Sequence, residues 1–412
     1  MRPVLLVAYH FPPLSGSSGL QRTLRFAQYL PEFGWKPIVL TVRPEAYEQT
    51  DERSLAQVPP GCEVVRTLCF DAGRHLSIKG RYPAFAALPD RWASWQLWGV
   101  RAGLRLARER GARAIWSTYP IATAHKIGAT LSRRTGLPWI ADFRDPMAQE
   151  GYPADPQRWR AFKRIEETAA ARASRLVFVS PSALEMYRKR YPGTPAERFE
   201  LIENGYDESS FDGLTASASA TRTGPPVLLH SGIVYPSERD PAALFEALGR
   251  LSRAGRIAPG DFVVRFRASV HEDLLKGLAR SHRVEAFIDI EPAIEYREAL
   301  REMMGVDALV VMQGANCNEQ IPAKLYEYLR AGRPILGLAD PDGDTGRALT
   351  GLGFPFVTRL ESADAIERTL PAFLGALRAG GLPVAQPGIV DRYSRRALTG
   401  RFAALLDELA PA

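Results

Sequence analysis

Short runs rich in Val, Ile and Leu alternate along this chain with longer stretches whose apolar residues recur at helical spacing. That alternation predicts α/β architecture with parallel sheets covered by helices on both faces, because strands buried on both sides read as unbroken apolar runs. Strands are expected at Val4–Ala8, Pro37–Val42, Ala114–Ser117, Pro138–Ala141, Leu176–Val179 and Glu200–Ile202, with helices after Gly19, Pro89, Pro120 and Ser182. A second set follows at Val227–His230, Phe262–Phe266, Ala286–Ile288, Ala308–Val311, Ile335–Leu338 and Pro355–Val357. Between the two sets, residues 208–226 are small and polar with no hydrophobic period, as in a linker.

The expected organisation is therefore a Rossmann-like N-terminal domain over 1–207, a linker over 208–226 and a second Rossmann-like domain over 227–390. Residues 391–412 form a helix with Leu398, Phe402, Leu405, Leu406 and Leu409 on one side, expected to pack back toward the N-terminal domain. Two doubly wound halves are expected to face a central cleft, with ligand held at the carboxyl ends of both sheets.

Composition narrows the class. The 412 residues are 46% hydrophobic and 24% charged, normal for a globular chain, and no segment approaches the roughly 18 uninterrupted apolar residues of a membrane span. The opening MRPVLLVAYHFPP reads as a first buried strand and not as a signal peptide. Cys62, Cys69 and Cys317 make no metal-ligand spacing, which suits reduced thiols and a cytoplasmic location. A net charge of +7 admits three partners: nucleic acid, an anionic membrane or phosphorylated small molecules. No zinc-finger spacing, RNP-type aromatic motif or long Lys-rich arm is present, so nucleic acid is set aside. The stretch Arg91 to Arg113, with Trp92, Trp95 and Trp98 among its arginines, is either a peripheral contact with the anionic inner face of a membrane or an ordinary covering helix.

The most specific stretch runs from Asn318 to Pro334, NEQIPAKLYEYLRAGRP. Pro322 signals a helix start and Gly332-Arg333-Pro334 a stop. Backbone N–H groups and the positive end of the dipole at such a start suit a diphosphate. Glu319 and Glu327 bracket that start at a separation on the order of 10 Å, roughly the span of a diphosphate between two sugar rings. One carboxylate would hold ribose hydroxyls and the other the transferred sugar; alternatively both are solvated acids at a helix start.

These residues resemble the Glu-x7-Glu signature of the group 1 retaining glycosyltransferases (glycosyltransferase family 4, GT-B fold), Glu319 matching the first glutamate and Glu327 the second. The stretches His230 to Pro241 (HSGIVYPSERDP) and Ile202 to Asp207 (IENGYD) resemble the same family's strand–glycine–loop and NG-x-D. The resemblance implies a hexosyltransferase-like enzyme that moves a sugar from a nucleotide diphosphate to a glycan, lipid-linked or small-molecule acceptor, with retention and without a metal. It implies Glu319 and His125 at the reacting sugar, and Gly232, Arg239, Gln320, Ile321, Lys324 and Glu327 on the donor. The family's first phosphate-binding cation falls on Ile233, so Arg267 or Lys324 is expected to replace it.

On the acceptor side, the loop from Phe11 to Arg22 contains Gly16, Ser17 and Gly19 ahead of a helix, small residues that let backbone approach a sugar or phosphate, and Arg22 adds charge. It is not GxGxxG, and no dinucleotide or other cofactor is expected. In Ala141-Asp142-Phe143-Arg144-Asp145-Pro146, the charged side chains either orient an acceptor hydroxyl or form an internal ion pair. Asp340-Pro341-Asp342-Gly343-Asp344 reads as a turn and not as a metal site. With no GxSxG elbow and no HExxH, catalysis is expected to be electrostatic. Ile233 also keeps open a silent sugar-nucleotide-binding subunit.

Overall fold

A computed structural model describes residues 1–15, 19–77, 81–214 and 224–411. The chain divides into two units, Met1–Asn204 with Arg395–Ala412, and Gly205–Ser394.

The first unit is built on seven parallel strands: β1 (Arg2–Val7), β2 (Trp35–Val42), β3 (Glu63–Thr67), β4 (Ala114–Thr118), β5 (Trp139–Phe143), β6 (Arg175–Phe178) and β7 (Phe199–Leu201). Their order is β3-β2-β1-β4-β5-β6-β7. Successive side chains of β1 point to opposite faces, so Leu5 and Val7 enter one core while Val4 and Leu6 enter the other. Both cores are apolar, which is why the strand carries no alternation in its sequence. Helices Trp95–Glu109, Ala122–Thr135 and Pro156–Arg172 cover the first core, and helices Leu20–Tyr29 and Arg395–Leu409 cover the second. The C-terminal helix is held by Phe402, fully buried and stacked on Phe26 at 4.6 Å between ring centroids. Burying a side chain of this size contributes about 1.5–3 kcal/mol.

Two elements escape the apolar pattern. Strand β3 is a half-buried edge strand paired only with β2, so Glu63 and Arg66 are tolerated in it and break the run. Helix Pro156–Arg172 has a strongly polar outer face; its start is set by Pro156 and by Asp155, whose side chain accepts from the Arg158 N–H at 2.7 Å.

The second unit carries β8 (Val227–Ser231), β9 (Val263–Arg267), β10 (Ile288–Glu291), β11 (Ala308–Met312), β12 (Ile335–Leu338) and β13 (Val357–Thr358), all parallel, in the order β10-β9-β8-β11-β12-β13. Helices Ala242–Arg253, Glu272–His282 and Ala363–Arg378 pack on one face, and Tyr296–Gly305, Lys324–Ala331 and Asp344–Gly351 on the other. In each unit the strand order reverses once, between β1 and β4 and between β8 and β11. Connections leave such a point in opposite directions, and the crevice they open beyond the strand ends is where doubly wound sheets bind ligands.

Candidate functional site

In the second unit the two loops of the switch point follow β8 and β11. They are tied together where Gly314 N–H donates to the Glu238 carbonyl at 2.6 Å and Asn316 Nδ2 donates to the Ser237 carbonyl at 2.8 Å. Gly232 opens the first loop at φ +118°, a conformation that side chains rarely adopt. A Cβ there would also lie 2.8 Å from Lys324 Nζ, so the glycine lets the ammonium reach the backbone at the strand end.

Lys324 is the first residue of its helix, two positions later than the expected start at Pro322. The tight first turn explains the shift: Leu325 N–H donates to the Pro322 carbonyl at 2.9 Å and Tyr326 N–H to Ala323 at 3.2 Å. The shift closes no amide, because a helix beginning at Pro322 would leave the same ones open. Those of Ile321, Ala323 and Lys324 have no backbone partner among the described residues.

The Lys324 ammonium is held by a buried histidine. His230 Nδ1 lies 3.0 Å from the Val310 carbonyl, which fixes the proton on that nitrogen, and leaves Nε2 to accept from Lys324 Nζ at 3.3 Å. Burial keeps His230 far below its ordinary pKa, and the neighbouring Lys324 adds to the effect. Burial also lowers Lys324 to about 7, helped by repulsion from Arg239 and opposed by Glu327.

Arg239 stands near Lys324. Its guanidinium lies over the Tyr235 ring at 5.4 Å, its Nη1 reaches the Ile233 carbonyl at 3.4 Å, and its buried Nε has no partner among the described residues. Among the described residues neither Arg239 nor Lys324 has a carboxylate within 4.0 Å. Two half-buried cations with no carboxylate in ion-pair reach are costly to hold, and the pair is stabilised when an anion joins it.

Arg267, the other expected replacement for a cation at Ile233, is committed elsewhere. Its Nε and Nη2 donate to the two oxygens of Glu302, each at 2.8 Å, and Nη1 to the Pro292 carbonyl at 2.9 Å. The structure thus corrects that expectation for Arg267 and places Lys324 at the strand end instead.

Glu327 lies in the first turn of the helix, half-buried, and accepts from Tyr296 Oη at 2.7 Å. Glu319, Gln320 and Ile321 occupy the loop just ahead of the helix, all half-buried. The Asp340–Asp344 segment is a turn: Asn318 Nδ2 donates to Asp340 at 2.8 Å, and Asp344 N–H donates to the Asn318 carbonyl at 2.8 Å. It supports the loop that carries Glu319.

The first unit's switch point differs. Gly16 and Ser17 lie outside the described residues. Arg22, expected to meet an acceptor, is fully buried against Asp142, with Nε to Oδ2 at 2.7 Å and Nη2 to Oδ1 at 3.0 Å. Two further donors reach the Ile202 and Glu203 carbonyls, both at 2.9 Å, and Thr118 Oγ1 completes Asp142 at 3.1 Å. Of the alternatives for Asp142, the ion pair is the one formed, and four of the five Arg22 N–H donors are answered inside the first unit. Arg144 donates to the Gly19 carbonyl at 2.8 Å, and among the described residues its buried Nε has no partner; burial lowers its pKa, and half-buried Asp145 raises it in part. His10, close to Arg144, is pushed down to about 3 by burial and by that guanidinium.

His125 is a core residue. It has no exposed surface, its Nδ1 lies 2.8 Å from Ser117 Oγ, and its ring packs against Trp139 and Phe143. Burial lowers it to about 3. Among the described residues its Nε2 has no hydrogen-bond partner, so the ring is enclosed in the first unit with one nitrogen unanswered. Sequence reading missed His230, Tyr296 and Thr118; only the position of His230 at a strand end ahead of glycine hinted at its role.

Residues 19–205 match the family of glycosyl transferase 4-like domains. No curated protein matches the chain by sequence. Among solved structures, sucrose-phosphate synthase from Thermosynechococcus elongatus superposes with a TM-score of 0.67 at 15% identity, covering 99% of each chain. Anabaena HepE, solved in complex with UDP-glucose, gives 0.66 at 14% identity over 99% of this chain and 100% of its own. WaaG, a glycosyltransferase involved in lipopolysaccharide biosynthesis, gives 0.62 at 14% identity over the whole of both chains. These likenesses carry the fold. Residues 19–205 thus carry a glycosyl transferase 4-like domain, and the chain as a whole has the two-sheet GT-B fold of these structures.

Proposed function

We propose that the protein transfers a sugar from a nucleotide diphosphate sugar to an acceptor hydroxyl, and that the second unit holds the donor diphosphate. The observation that carries this reading is the Arg239–Lys324 pair, two cations without a carboxylate partner at a switch point, beside Gly232 and the start of a helix. Phosphate oxygens would satisfy Arg239 in bidentate fashion and draw a proton onto Lys324. Glu327, already held by Tyr296, would accept ribose hydroxyls, and Glu319 would face the transferred sugar. Charge developing on the departing diphosphate is then met by the two cations and the helix start, so this chemistry proceeds without a metal. Attack from the face the diphosphate leaves, with the acceptor proton passing to the phosphate, gives retention without a separate protein base. HepE crystallised with UDP and with UDP-glucose makes uridine sugars the first donors to try. The acceptor is a glycan, a lipid-linked sugar or a small glycosylated molecule, and the site of action is the cytoplasm.

The test is calorimetric titration of UDP, GDP and dTDP, with and without excess EDTA, into the wild type and into Arg239→Ala. Binding by the wild type that persists in EDTA and is weakened at least about tenfold in the variant supports the reading. Binding that requires Mg²⁺ or Mn²⁺, or that ignores Arg239, overturns it. Ile233, at the position of the family's first phosphate cation, favours one second reading, a binding subunit without turnover. Tight binding of a sugar nucleotide with neither transfer nor hydrolysis would establish it.

A further inference from the structure

The outer surface of helices Trp95–Glu109, Ala122–Thr135 and Pro156–Arg172 is basic on one side only. A groove of about 1340 Å³ is lined by Arg43, Arg101, Arg105, Arg108, Arg133 and Arg134 and by no acidic residue. Among the described residues only Arg105 of these six has a carboxylate in ion-pair reach, Glu109 at 3.9 Å. A second hollow of about 480 Å³, between the second and third of these helices, carries Lys126, Arg160 and Arg164, again without an acid. Six and three make nine cations on one face; among the described residues the carboxylates acting on them are Glu109, beside Arg105, and the buried Asp90, near Lys126. Their mutual repulsion is relieved when an anionic surface meets them, and is screened by salt.

Apolar side chains stand beside the charges. Leu97 is 70% exposed, and Leu68 and Phe70 are each more than a third exposed. Leu68, Leu97 and Trp98 line the groove itself, and the Phe70 ring meets Trp98 edge-on at 5.4 Å. Arginines contiguous with exposed leucine and aromatic residues are the chemistry of a bilayer interface, where phosphates lie just outside an acyl region. A soluble polyanion would satisfy the arginines but leave the leucines and Phe70 in water.

We propose that this face docks on an anionic lipid bilayer, the arginines on lipid phosphates and Leu97, Leu68 and Phe70 at the acyl boundary. The contact does not depend on the donor site. It is tested by co-sedimenting the full chain with vesicles of phosphatidylcholine alone and of phosphatidylcholine with about a third phosphatidylglycerol. Binding to the anionic vesicles only, weakening with salt, is expected. Each cation near such a surface contributes roughly fivefold to partitioning, so Arg101→Glu/Arg105→Glu and Arg133→Glu/Arg134→Glu should each lower it by about 25-fold or more. These exposed positions on two different helices keep the test valid if one variant folds poorly. Leu97→Ser should lower binding by about fivefold even in high salt. Nucleotide binding without vesicles should be unchanged in all three variants. Equal binding to neutral vesicles, no vesicle binding, or wild-type binding by both charge variants overturns the proposal. Retention on heparin without vesicle binding also overturns it, in favour of a soluble polyanion.

Discussion

The two switch points of this protein use the same residue types to opposite ends. At the end of β5, Arg22 and Asp142 satisfy each other and the nearby carbonyls so completely that the pair is sealed inside the fold. At the end of β8, Arg239 and Lys324 sit without a carboxylate partner, one lying over an aromatic ring and the other beside a neutral histidine. A buried cation paired with a buried carboxylate has a structural role. One whose donors are left unanswered raises the energy of the empty protein and lowers it again when an anion binds. The contrast predicts that charges in the first region govern stability and charges in the second govern binding.

The largest expected effect is on stability. Arg22→Ala strands a buried carboxylate and should cost about 3–5 kcal/mol, a fall on the order of 10 °C in melting temperature for a unit of this size. The double variant Arg22→Met/Asp142→Leu, which removes both charges, should recover much of that loss. If Arg22→Ala melts like the wild type but loses acceptor use, the pair belongs to the substrate site after all.

Next comes Glu319→Ala, which should lower turnover by about 10²-fold while donor affinity changes little, if its contact strengthens as the sugar gains positive charge. Glu327→Ala should do the reverse and weaken donor binding by about 1.5–3 kcal/mol. Calorimetry beside steady-state kinetics separates the two, and equal effects on both quantities in both variants would erase the distinction.

Arg239→Ala should weaken nucleotide diphosphate binding by about 1.5–3 kcal/mol, roughly 10- to 150-fold, with the melting temperature of the free protein unchanged or slightly raised. The Lys324 contribution should depend on pH. Its pKa in the free protein is lowered to about 7, and phosphate binds the charged form, so affinity should be flat below about pH 6. Above about pH 7 it should fall by up to tenfold per unit, as each binding event must bring a proton with it. Affinity that does not fall between pH 7 and 9 in the wild type, or that falls as steeply in Lys324→Arg, would remove Lys324 from the clamp.

The smallest effect sharpens the comparison from the core side. His125→Leu should cost about 1 kcal/mol of stability through the lost Ser117 contact, with turnover unchanged. The wild type should also lose stability as pH falls from about 6.5 toward 3. In that window the unfolded histidine binds a proton that the native one, lowered to about 3, refuses, and the leucine variant should lose less. A tenfold loss of turnover in the variant would show that the ring acts on the substrate.

Most of the scaffold was legible in the chain. Strands such as β1, β4, β8 and β11 are buried on both faces, and only unbroken apolar runs satisfy such positions. Strand β10 was displaced by two residues, because its half-buried residues carry a weaker signal than the central strands. Strand β3 was missed because its own side chains are half-buried, and helix Pro156–Arg172 because its apolar stripe is narrow against many charges. The loop from Glu319 to Lys324 stood out by local signals alone, a proline, two spaced carboxylates and a Gly-Arg-Pro stop.

What local signals determine is where elements begin, which residues they bury and which loops follow strand ends, since those depend on neighbours within a few positions. They do not determine which charges are answered. Arg22, Arg239 and Arg267 look alike along the chain, each close to a strand end and each a plausible ligand for phosphate. Asp142 lies 120 residues from Arg22 and Glu302 lies 35 from Arg267. Only the packing of β5 against its neighbours, and of helix Tyr296–Gly305 under its sheet, brings those carboxylates within hydrogen-bond distance. The same holds for His125 and His230, one enclosed by Trp139 and Phe143 and the other set to steer an ammonium. A charge or an imidazole acquires its role from what surrounds it within a few ångströms, and in a doubly wound fold those surroundings come from distant strands.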